Sequence, residues 1–421
     1  MNFSQRSLPA WLDYLESRHQ EPIQLGLERV RACASLLNLA SCEAVVITVA
    51  GTNGKGSTVA ALEAIYRAAG FRVATYTSPH ILAFNERICI NQTPVTDEAL
   101  CAAFVSLHAI PDSAALTYFE MATLAALLIF QAEPLDVIIL EVGMGGRLDA
   151  TNLIDANLSI ITTVDFDHQA WLGDTLDAIG YEKAGILRSG KPALYADDQC
   201  PDSVAAYARD EGVSLLCFGE DYSVCVTDDG FDLLLATGEA FNLPRPSLNL
   251  KSAAAALVAT MQLQAVLPVT PVHWYSGLQR VAIQGRQQCI DGPVKTVLDV
   301  AHNPQAVALL ADFIINQIPK GRVHAVFSGL KDKDLCGLIR PMQWLVDYWY
   351  PALLDGPRAA DEDRLRAAFS STQMEFSRCF HNPVVAYRAA MGVAQPGDWV
   401  VVYGSFLTVS AVIAADMIQE E

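Results

Sequence analysis

The chain has 421 residues, enough for two or three domains of about 100–200 residues each. Hydrophobic residues make up 52% of it and charged residues 18%, a balance that supports large buried cores and excludes an intrinsically disordered protein. The formal net charge of −19 argues against nucleic acid or an anionic membrane surface as a partner, because neither attracts an acidic protein.

The ten cysteines are scattered singly, and no CxxC pair occurs. We therefore expect buried, reduced thiols rather than disulfides, which indicates a reducing compartment. Residues 1–20 carry Asp13 and Glu16 and lack an apolar secretory core. The longest uncharged stretch, 252–279, is interrupted by glutamines and prolines and is interpreted as an alanine-rich helix and a loop. The sequence thus predicts a cytoplasmic protein without a membrane span.

Short β-rich runs alternate with amphipathic stretches over the first half of the chain. Strands are predicted at 44–50, 71–77, 135–142, 158–164 and 192–195, and helices at 55–69 and 117–131. The strand at 135–142 is almost continuously apolar, as expected when a strand is covered on both faces. Strands separated by helices imply a parallel sheet with right-handed crossovers. We predict an α/β domain with a β-hairpin excursion at 214–240.

A second alternating series begins at residue 294. Strands are predicted at 294–300, 322–327, 347–352 and 399–403, and helices at 304–318, 360–369 and 383–393. The preceding segment, 281–293, has mixed polarity, two glycines and a proline, which is typical of a domain boundary. We predict a first domain at 1–287 and a second, smaller Rossmann-like α/β domain at 288–421.

The strongest local motif is GTNGKGS, residues 51–57, between a predicted strand and the start of a helix. Glycines let consecutive backbone N–H groups point at one anion, and the helix dipole adds favourable potential. Lys55 would reach the outer phosphates of a nucleotide, and the Ser57 hydroxyl would hold Mg²⁺. Gly56 is an insertion relative to the common GK[ST] spacing. The strand–loop–helix setting nevertheless predicts a P-loop parallel-sheet ATPase domain.

Polar side chains lie at or just after the ends of three other predicted strands, at Ser78, Glu141 and His168. Ligands of open parallel sheets bind where the carboxyl ends of strands emerge, beside the phosphate loop in this case. A serine before proline is usually a turn former, and a loop histidine is usually only a satisfied polar residue. Glu141, however, lies inside an apolar strand, where an unpaired carboxylate is costly to bury. Together the three predict a Mg²⁺ site that bridges nucleotide phosphates.

Seven motifs resemble, in order, those of the folylpolyglutamate synthase family, part of the wider Mur ligase group of amide-forming ligases. They are TVAGTNGKGS (48–57), TSPH (77–80), ILEVGMGGRLDATN (139–152), DHQAWLG (167–173), EKAGI (182–186), DVAHNP (299–304) and YGSF (403–406). The resemblance covers nearly the whole chain. It implies an ATP-dependent acid–amino-acid ligase that joins an amino acid to a carboxylate through an acyl phosphate.

Two further segments, QLGLERV (24–30) and LTYFEMATL (116–124), are similar to the pterin-binding elements of the bifunctional bacterial members of this family. From pattern alone, 117–119 is an ordinary helix start with Glu120 in its first turn. The resemblance instead assigns pterin or folate binding to Gln24, Leu25, Gly26, Leu27, Thr117, Tyr118, Phe119, Glu120, Leu148 and Asp149. The first domain would then bind both ATP and pterin, and the second would be the glutamate-ligase domain.

The same resemblance assigns the remaining site roles. Nucleotide binding falls to Thr52, Asn53, Gly54, Lys55, Gly56, Ser57, Ser252, Arg286 and Asp299; metal binding to Ser57, Ser78, Glu141 and His168; and catalysis to Lys55, Lys183 and His302. By its pattern alone Lys183 would be a solvated lysine near a helix end, but it matches a lysine that the family carries as a carbamate. The implied cofactors are two Mg²⁺ ions with ATP as substrate, and a monovalent cation such as K⁺ is a further candidate.

Two positions depart from the family pattern. Ser252 stands where the family usually has asparagine, and Gln284-Gly285-Arg286-Gln287 stands where Pro-Gly-Arg-Phe is common. Because serine is shorter, its contact with the nucleotide would need a bridging water. Loss of the proline is expected to loosen the hinge. Neither departure touches the phosphate loop or the predicted metal ligands.

The implied reaction adds L-glutamate to 7,8-dihydropteroate, giving dihydrofolate, and to the γ-carboxylates of folates, an activity of folate biosynthesis and one-carbon metabolism. The protein would act as a monomer on these acceptors, ATP and glutamate. Folylpolyglutamate synthase activity alone is one alternative, and a muramyl-peptide ligase is another, although about 43 residues before the first strand are too few for its nucleotide-sugar domain. A regulatory nucleotide-binding switch and a kinase-like phosphotransferase also stay open.

Overall fold

The computed structural model describes residues 5–18, 24–39 and 41–417. Of the amino-terminal residues inspected for a secretory core, 1–4 and 19–20 therefore lie outside the described part. The chain divides into two units between Val281 and Ala282. The boundary expected from the sequence, after Gln287, lies a few residues further along the chain.

The first unit is built on a sheet of eight described strands, in the order β4-β3-β2-β5-β1-β6-β7-β8. The strands are β1 (Val45–Ala50), β2 (Val73–Tyr76), β3 (Ile88–Ile90), β4 (Thr93–Pro94), β5 (Val137–Glu141), β6 (Leu158–Ile161), β7 (Pro192–Tyr195) and β8 (Ser214–Cys217). All pairings from β2 to β8 are parallel, with β1 between β5 and β6. The predicted parallel α/β architecture is confirmed. Sequence patterning missed β3 and β4, an antiparallel edge of two- and three-residue strands.

Helices cover both faces of this sheet, as the buried strands require. The described helices of the first unit are α1 (Leu8–Ser17), α2 (Glu28–Leu36), α3 (Lys55–Ala68), α4 (Asp97–His108), α5 (Tyr118–Gln131), α6 (Gln169–Leu172), α7 (Leu176–Ala184), α8 (Asp202–Asp210), α9 (Leu250–Gln262) and α10 (Pro271–Arg280). Every residue of β5 is buried, in agreement with its continuous apolar sequence. Among the described residues, no helix combines the length and the apolar character that crossing a bilayer requires.

The structure corrects two sequence interpretations in this unit and one that concerns both units. Residues 214–217 do not begin a hairpin but form the parallel edge strand β8 beside β7. A separate antiparallel sheet of three strands follows, made of β9 (Tyr222–Val226), β10 (Gly230–Leu235) and β11 (Ala240–Pro244). The stretch 252–279 contributes to two helices, α9 and α10, instead of one. The ten cysteines are unpaired, but only Cys33 is fully buried, so the expectation of buried thiols is wrong for most of them.

The second unit has its own sheet, of five described strands in the order β12-β13-β16-β14-β15. They are β12 (Gln288–Ile290), β13 (Lys295–Leu298), β14 (Val323–Phe327), β15 (Tyr348–Pro351) and β16 (Trp399–Tyr403), with helices α11 (Pro304–Gln317), α12 (Leu335–Ile339), α13 (Glu362–Ser371), α14 (Pro383–Val393) and α15 (Phe406–Met417). Four strands are parallel, as predicted, and β12 is an antiparallel edge. The sequence did not predict the short elements β12 and α12.

Helix α3, which follows the phosphate loop, buries a carboxylate against the β3–β4 turn. Glu63 is only 8% exposed, and its Oε1 accepts a hydrogen bond of 2.8 Å from the backbone N–H of Gln92. Burial raises the pKa of Glu63 from its ordinary 4.5 to about 7, although this hydrogen bond and Arg67 act in the opposite direction. The folded state therefore favours the protonated form.

This buried carboxyl should make stability depend on pH. Because folding raises its pKa, the stabilisation from protonated Glu63 is fully present below about pH 4.5 and is lost as the pH rises through about 7. Glu63→Gln keeps an acceptor for Gln92 and cannot ionise. Urea unfolding at pH 8 should give the variant about 1–3 kcal/mol more stability than the wild type, with a smaller difference at pH 5. If the exposed control Glu43→Gln raised the stability at pH 8 by the same amount, the pH dependence could not be assigned to the buried Glu63 carboxyl.

Candidate functional site

The phosphate loop leaves β1 and enters the first turn of α3 through two glycines with positive φ. Gly51 has a φ of 148° and Gly54, at the amino-terminal cap of α3, a φ of 87°. A Cβ on Gly51 would lie 1.8 Å from the Thr162 Oγ1, so a side chain cannot fit there. Positive-φ glycines let successive backbone N–H groups converge on an anion. The loop therefore has the strand–loop–helix setting that its sequence predicts, with glycines where the backbone needs a positive φ.

Two threonines directly after β6 hold this loop in shape. The backbone N–H of Thr52 donates to the Thr163 carbonyl, and the backbone N–H of Asn53 donates to the Thr163 Oγ1, each at 2.9 Å. The Thr162 hydroxyl donates to the Asn53 carbonyl at 2.6 Å. These threonines were missed in the sequence, where they lay within the predicted strand 158–164 and carried no separate signal.

Three other predicted nucleotide-binding residues lie on or against the loop. The Lys55 ammonium donates to the carbonyls of Gly51 at 2.8 Å and Thr52 at 3.1 Å, which holds its positive charge over the loop. Ser57 is 7% exposed in the first turn of α3. Ser252, in the first turn of α9, donates from its Oγ to the Gly54 carbonyl at 3.4 Å. Ser252, which stands where the family usually has asparagine, therefore still contacts the loop.

The predicted metal ligands gather at the carboxyl ends of adjacent strands. Glu141 is the last residue of β5 and is 2% exposed, and its Oε2 accepts a hydrogen bond of 3.2 Å from the backbone N–H of Ser78. Ser78 follows β2, the parallel neighbour of β5. His168 begins α6 with a φ of 52°, and it lines the same cavity as Ser78. The fold thus brings together residues that are up to 90 positions apart.

The donor set of this group fits a hard divalent cation held together with a nucleotide. No cluster of three His, Cys, Asp or Glu side chains suitable for a metal occurs in the described residues. The predicted set instead combines one carboxylate and one imidazole with the hydroxyls of Ser57 and Ser78. Such a set leaves coordination positions for phosphate oxygens and water, which is how Mg²⁺ is usually bound in nucleotide sites. The individual ligand roles stay predictions.

Lys183 is buried within the first unit, so its interpretation as a solvated lysine is wrong. It lies on α7 and is 3% exposed. Burial is the main cause that lowers its pKa, to about 7; the positive charge of Lys55 lowers it further, and Asp167 acts in the opposite direction. Lys183 therefore lies within electrostatic range of the phosphate-loop lysine and of the segment that precedes His168. A large fraction of its amine is neutral at neutral pH.

A cavity of about 260 Å³ opens beside these residues. Its lining comes from five separate segments of the first unit and consists of Gln24, Leu25, Ser78, Pro79, Arg87, Thr117, Phe119, Glu120, Gly143, Met144, Leu148, Asp149, Ala150 and His168. Seven of the ten predicted pterin-binding residues are in this lining. The other three lie next to it: Leu27 is buried in the core, Gly26 donates its N–H to the Leu148 carbonyl at 3.4 Å, and Tyr118 packs against Phe84.

The cavity has an aromatic and aliphatic wall. Phe119 lies so close to Gly143 that a Cβ there would come within 2.6 Å of the Phe119 Cζ. Asp149 shapes the opposite loop, since its carboxylate accepts hydrogen bonds from the N–H and Oγ1 of Thr151 and from the N–H of Met144, at 2.7 to 2.9 Å. Burial raises the pKa of Asp149, and these hydrogen bonds act in the opposite direction. Its charge is thus used mainly to hold the loop that contains Leu148.

Arg87 is a cavity residue that sequence reasoning missed. It is 9% exposed, and its Nε donates to the His80 Nδ1 at 2.9 Å. Its guanidinium also faces the rings of Phe84 and Tyr118, at 5.4 and 5.7 Å from the ring centres. Its position just before the three-residue strand β3 carried no periodic signal, so only the folded structure identifies it.

The predicted nucleotide residues Arg286, Asp299 and His302 form a group within the second unit. Asp299 follows β13, and its carboxylate accepts hydrogen bonds from the N–H groups of Gln287 at 2.8 Å and Ala301 at 2.7 Å. Burial raises its pKa to about 6. The Arg286 guanidinium and the His302 ring both face Phe406, at 5.8 and 5.6 Å. The DVAHNP and YGSF motifs therefore meet, because β13 and β16 are adjacent parallel strands. The roles of these residues toward the nucleotide stay predictions.

Comparison with known proteins agrees with the motif resemblance. The Mur ligase middle domain matches residues 49–232, and the Mur ligase glutamate ligase domain matches residues 285–406. A dihydrofolate synthase/folylpolyglutamate synthase of Escherichia coli is 40% identical over 407 residues, covering 96% of this chain and 94% of the relative.

Two solved structures are also similar over almost their whole length. E. coli FolC in complex with DHPP and ADP has a TM-score of 0.94 and 38% identity, covering 99% of both chains. A bifunctional folylpolyglutamate synthase/dihydrofolate synthase with Mn, AMPPNP and L-glutamate bound has a TM-score of 0.91 and 39% identity, covering 98% of this chain and 99% of the other.

The steric fit at Gly51 provides a test of the phosphate loop. In Gly51→Ala the new Cβ would overlap the Thr162 hydroxyl, so the loop must open and its N–H groups must diverge. Isothermal titration with ADP should show affinity reduced by about a hundredfold or more. The matched control is Gly392→Ala, where a Cβ meets no atom within 4 Å. Wild-type ADP affinity in Gly51→Ala would show that the loop does not bind phosphates in this conformation.

Proposed function

Because this chain belongs to the dihydrofolate synthase/folylpolyglutamate synthase family of Mur ligases, we propose that it is an ATP-dependent ligase that adds L-glutamate to 7,8-dihydropteroate and to the γ-carboxylates of folates. One observation carries the proposal. The cavity walled by Phe119 and Leu148 opens at the sheet edge where Ser78 and His168 lie, the same edge at which the phosphate loop leaves β1. An aromatic acceptor bound there would present its carboxylate to the phosphoryl group that ATP transfers.

The reaction begins with activation of the acceptor carboxylate, which is a poor electrophile because its charge repels nucleophiles. A carboxylate oxygen attacks the γ-phosphorus of ATP, the bond to the bridging oxygen breaks, and an acyl phosphate and ADP result. The amine of L-glutamate then attacks the acyl carbon, phosphate leaves with the C–O electron pair, and the amine loses a proton. The product is an amide. Phosphorylation thus converts an oxide leaving group into phosphate.

The side chains of the first unit supply positioning and charge neutralisation for these steps. The loop N–H groups and the Lys55 ammonium hold the phosphates of ATP. Glu141, Ser78 and His168, with Ser57, would hold Mg²⁺, which when bound screens the charge between phosphate and carboxylate. The pterin ring would lie against Phe119 and the aliphatic wall, with the benzoate directed toward the sheet edge.

We further propose that Lys183 carries a carbamate. Its amine adds to CO₂, forming a C–N bond and releasing a proton, which converts a cation into an anion near the metal ligands. The burial that lowers its pKa to about 7 supports this, because only a neutral amine attacks CO₂.

The remaining parts of the proposal rest on the family resemblance. They are a second Mg²⁺ ion, a monovalent cation such as K⁺, a monomeric state and location in the cytoplasm. The second-unit residues Arg286, Asp299 and His302 are proposed to act on the nucleotide.

An assay of acceptor dependence tests the proposed function. Purified protein with MgATP, L-glutamate and dihydropteroate should form dihydrofolate and ADP in equal amounts, and replacing dihydropteroate by a tetrahydrofolate should give the product with one more glutamate. Lys55→Ala should lower turnover by at least about a thousandfold, since the outer phosphates lose their cation. Turnover of tetrahydrofolate but not of dihydropteroate would support an enzyme with folylpolyglutamate synthase activity only. ADP release that is independent of both acceptor and glutamate would contradict a ligase.

The carbamate has its own test. Removal of CO₂ from buffer and protein should lower activity, and added bicarbonate should restore it with a larger effect as the pH rises through about 7, where the amine becomes neutral. Carbon-13 NMR with labelled bicarbonate should show a carbamate signal that is absent in Lys183→Arg. Wild-type activity that does not respond to CO₂, together with no such signal, would contradict the carbamate.

A further inference from the structure

One wall of the acceptor cavity comes from the segment that precedes the first strand. Gln24 and Leu25 line the cavity, and the segment enters α2 at Glu28. Opposite them stands the start of α5, where Thr117, Phe119 and Glu120 line the same cavity. These two walls are about 90 residues apart in sequence and belong to different elements. The distance between the two walls in space decides whether a flat aromatic ligand can be enclosed between them.

A single guanidinium nitrogen joins the two walls. The Arg29 Nη2, from the first turn of α2, donates to the Gln24 carbonyl at 2.8 Å and to the Glu120 Oε1 at 3.0 Å. The other oxygen of Glu120 accepts the N–H of Thr117 at 2.7 Å, which completes the capping box of α5. Arg29 therefore connects the backbone of the Gln24 wall to the cap of the helix that presents Phe119.

The environment makes this connection stronger than a surface ion pair. The Glu120 side chain is 5% exposed and that of Arg29 is 29% exposed. A carboxylate buried to this extent is costly without a partner, whereas an exposed pair contributes little. Gly26 adds a second, weaker attachment of the same wall, through the 3.4 Å hydrogen bond from its N–H to the Leu148 carbonyl. Within the described residues, Arg29 supplies the charged attachment of this wall.

We propose that Arg29 is a positioning residue for the pterin-bearing acceptor: it holds the Gln24–Leu25 wall against the α5 cap at the spacing that a pterin ring requires. The inference rests on the proposed function, because it takes the ligand of this cavity to be dihydropteroate or a folate. Arg29 acts through Gln24 and Glu120. Its loss should therefore weaken acceptor binding and leave the phosphate loop unchanged.

The test compares Michaelis constants for the two substrates in Arg29→Gln. The KM for dihydropteroate should rise about tenfold or more, as expected when a charge-assisted hydrogen bond is lost, while the KM for ATP stays within about twofold. Arg29→Lys should recover part of the loss, since one ammonium can donate to both acceptors. Arg31→Gln, on the exposed side of the same helix, is the matched control and should behave as wild type.

The outcomes separate this inference from the proposed function. If the wild type converts dihydropteroate and Arg29→Gln raises both KM values equally or only lowers the melting temperature, Arg29 has a general structural role and the inference is wrong. If Arg29→Gln unfolds, the comparison rests on Arg29→Lys, for which an unchanged KM for dihydropteroate together with a lowered melting temperature would also overturn it. If the wild type turns over no pterin acceptor, the proposed function itself fails.

Discussion

The parallel order of β2, β5, β1 and β6 is the constraint on which the rest of the site depends. Because parallel strands deliver their carboxyl ends to one edge, Ser78, Glu141, the phosphate loop and the segment that leads to His168 meet there without any closeness in sequence. The contact of Asn53 with Thr163, 110 residues apart, is a direct consequence. The second unit follows the same rule, since adjacent β13 and β16 bring His302 and Phe406 together. Each unit thus builds its polar group from the geometry of its sheet.

Buried charge distinguishes this edge from an ordinary loop surface. Glu141 accepts a backbone N–H, Asp149 is held by Thr151 and Met144, and Glu120 is shared between Arg29 and Thr117, so these three carboxylates have specific donors. Buried polar groups without such partners would cost several kcal/mol each. Lys183 is different, because burial and Lys55 shift its pKa to about 7 instead of fixing it as a cation. The first unit therefore combines hydrogen-bonded, buried carboxylates with a buried amine that can change its charge.

Sequence patterning was most accurate for apolar strands and for helices with one buried face. The strands 192–195 and 399–403 and the helix 383–393 are at their predicted positions, and the other predicted elements differ by one to three residues at their ends. The strands β3, β4 and β12, of two or three residues, are too short for a pattern to show, and α12 completes less than two helical turns. The strand β8 was assigned to a hairpin because local pattern does not reveal which partner a strand pairs with. The buried state of Lys183 and the contacts of Arg29, Arg87 and Thr162 arise between distant segments, so no local pattern encodes them.

The proposed reaction requires that an acceptor carboxylate and the γ-phosphate of ATP meet at this one sheet edge. Transfer of heavy oxygen from the carboxylate to phosphate would demonstrate that they do. Dihydropteroate labelled with heavy oxygen in its benzoate carboxylate is converted with MgATP and L-glutamate, and the released phosphate is examined by mass spectrometry. Each released phosphate should carry one heavy oxygen from the acceptor, because the carboxylate attacks the phosphorus itself. Amide formation with unlabelled phosphate would contradict the proposed reaction.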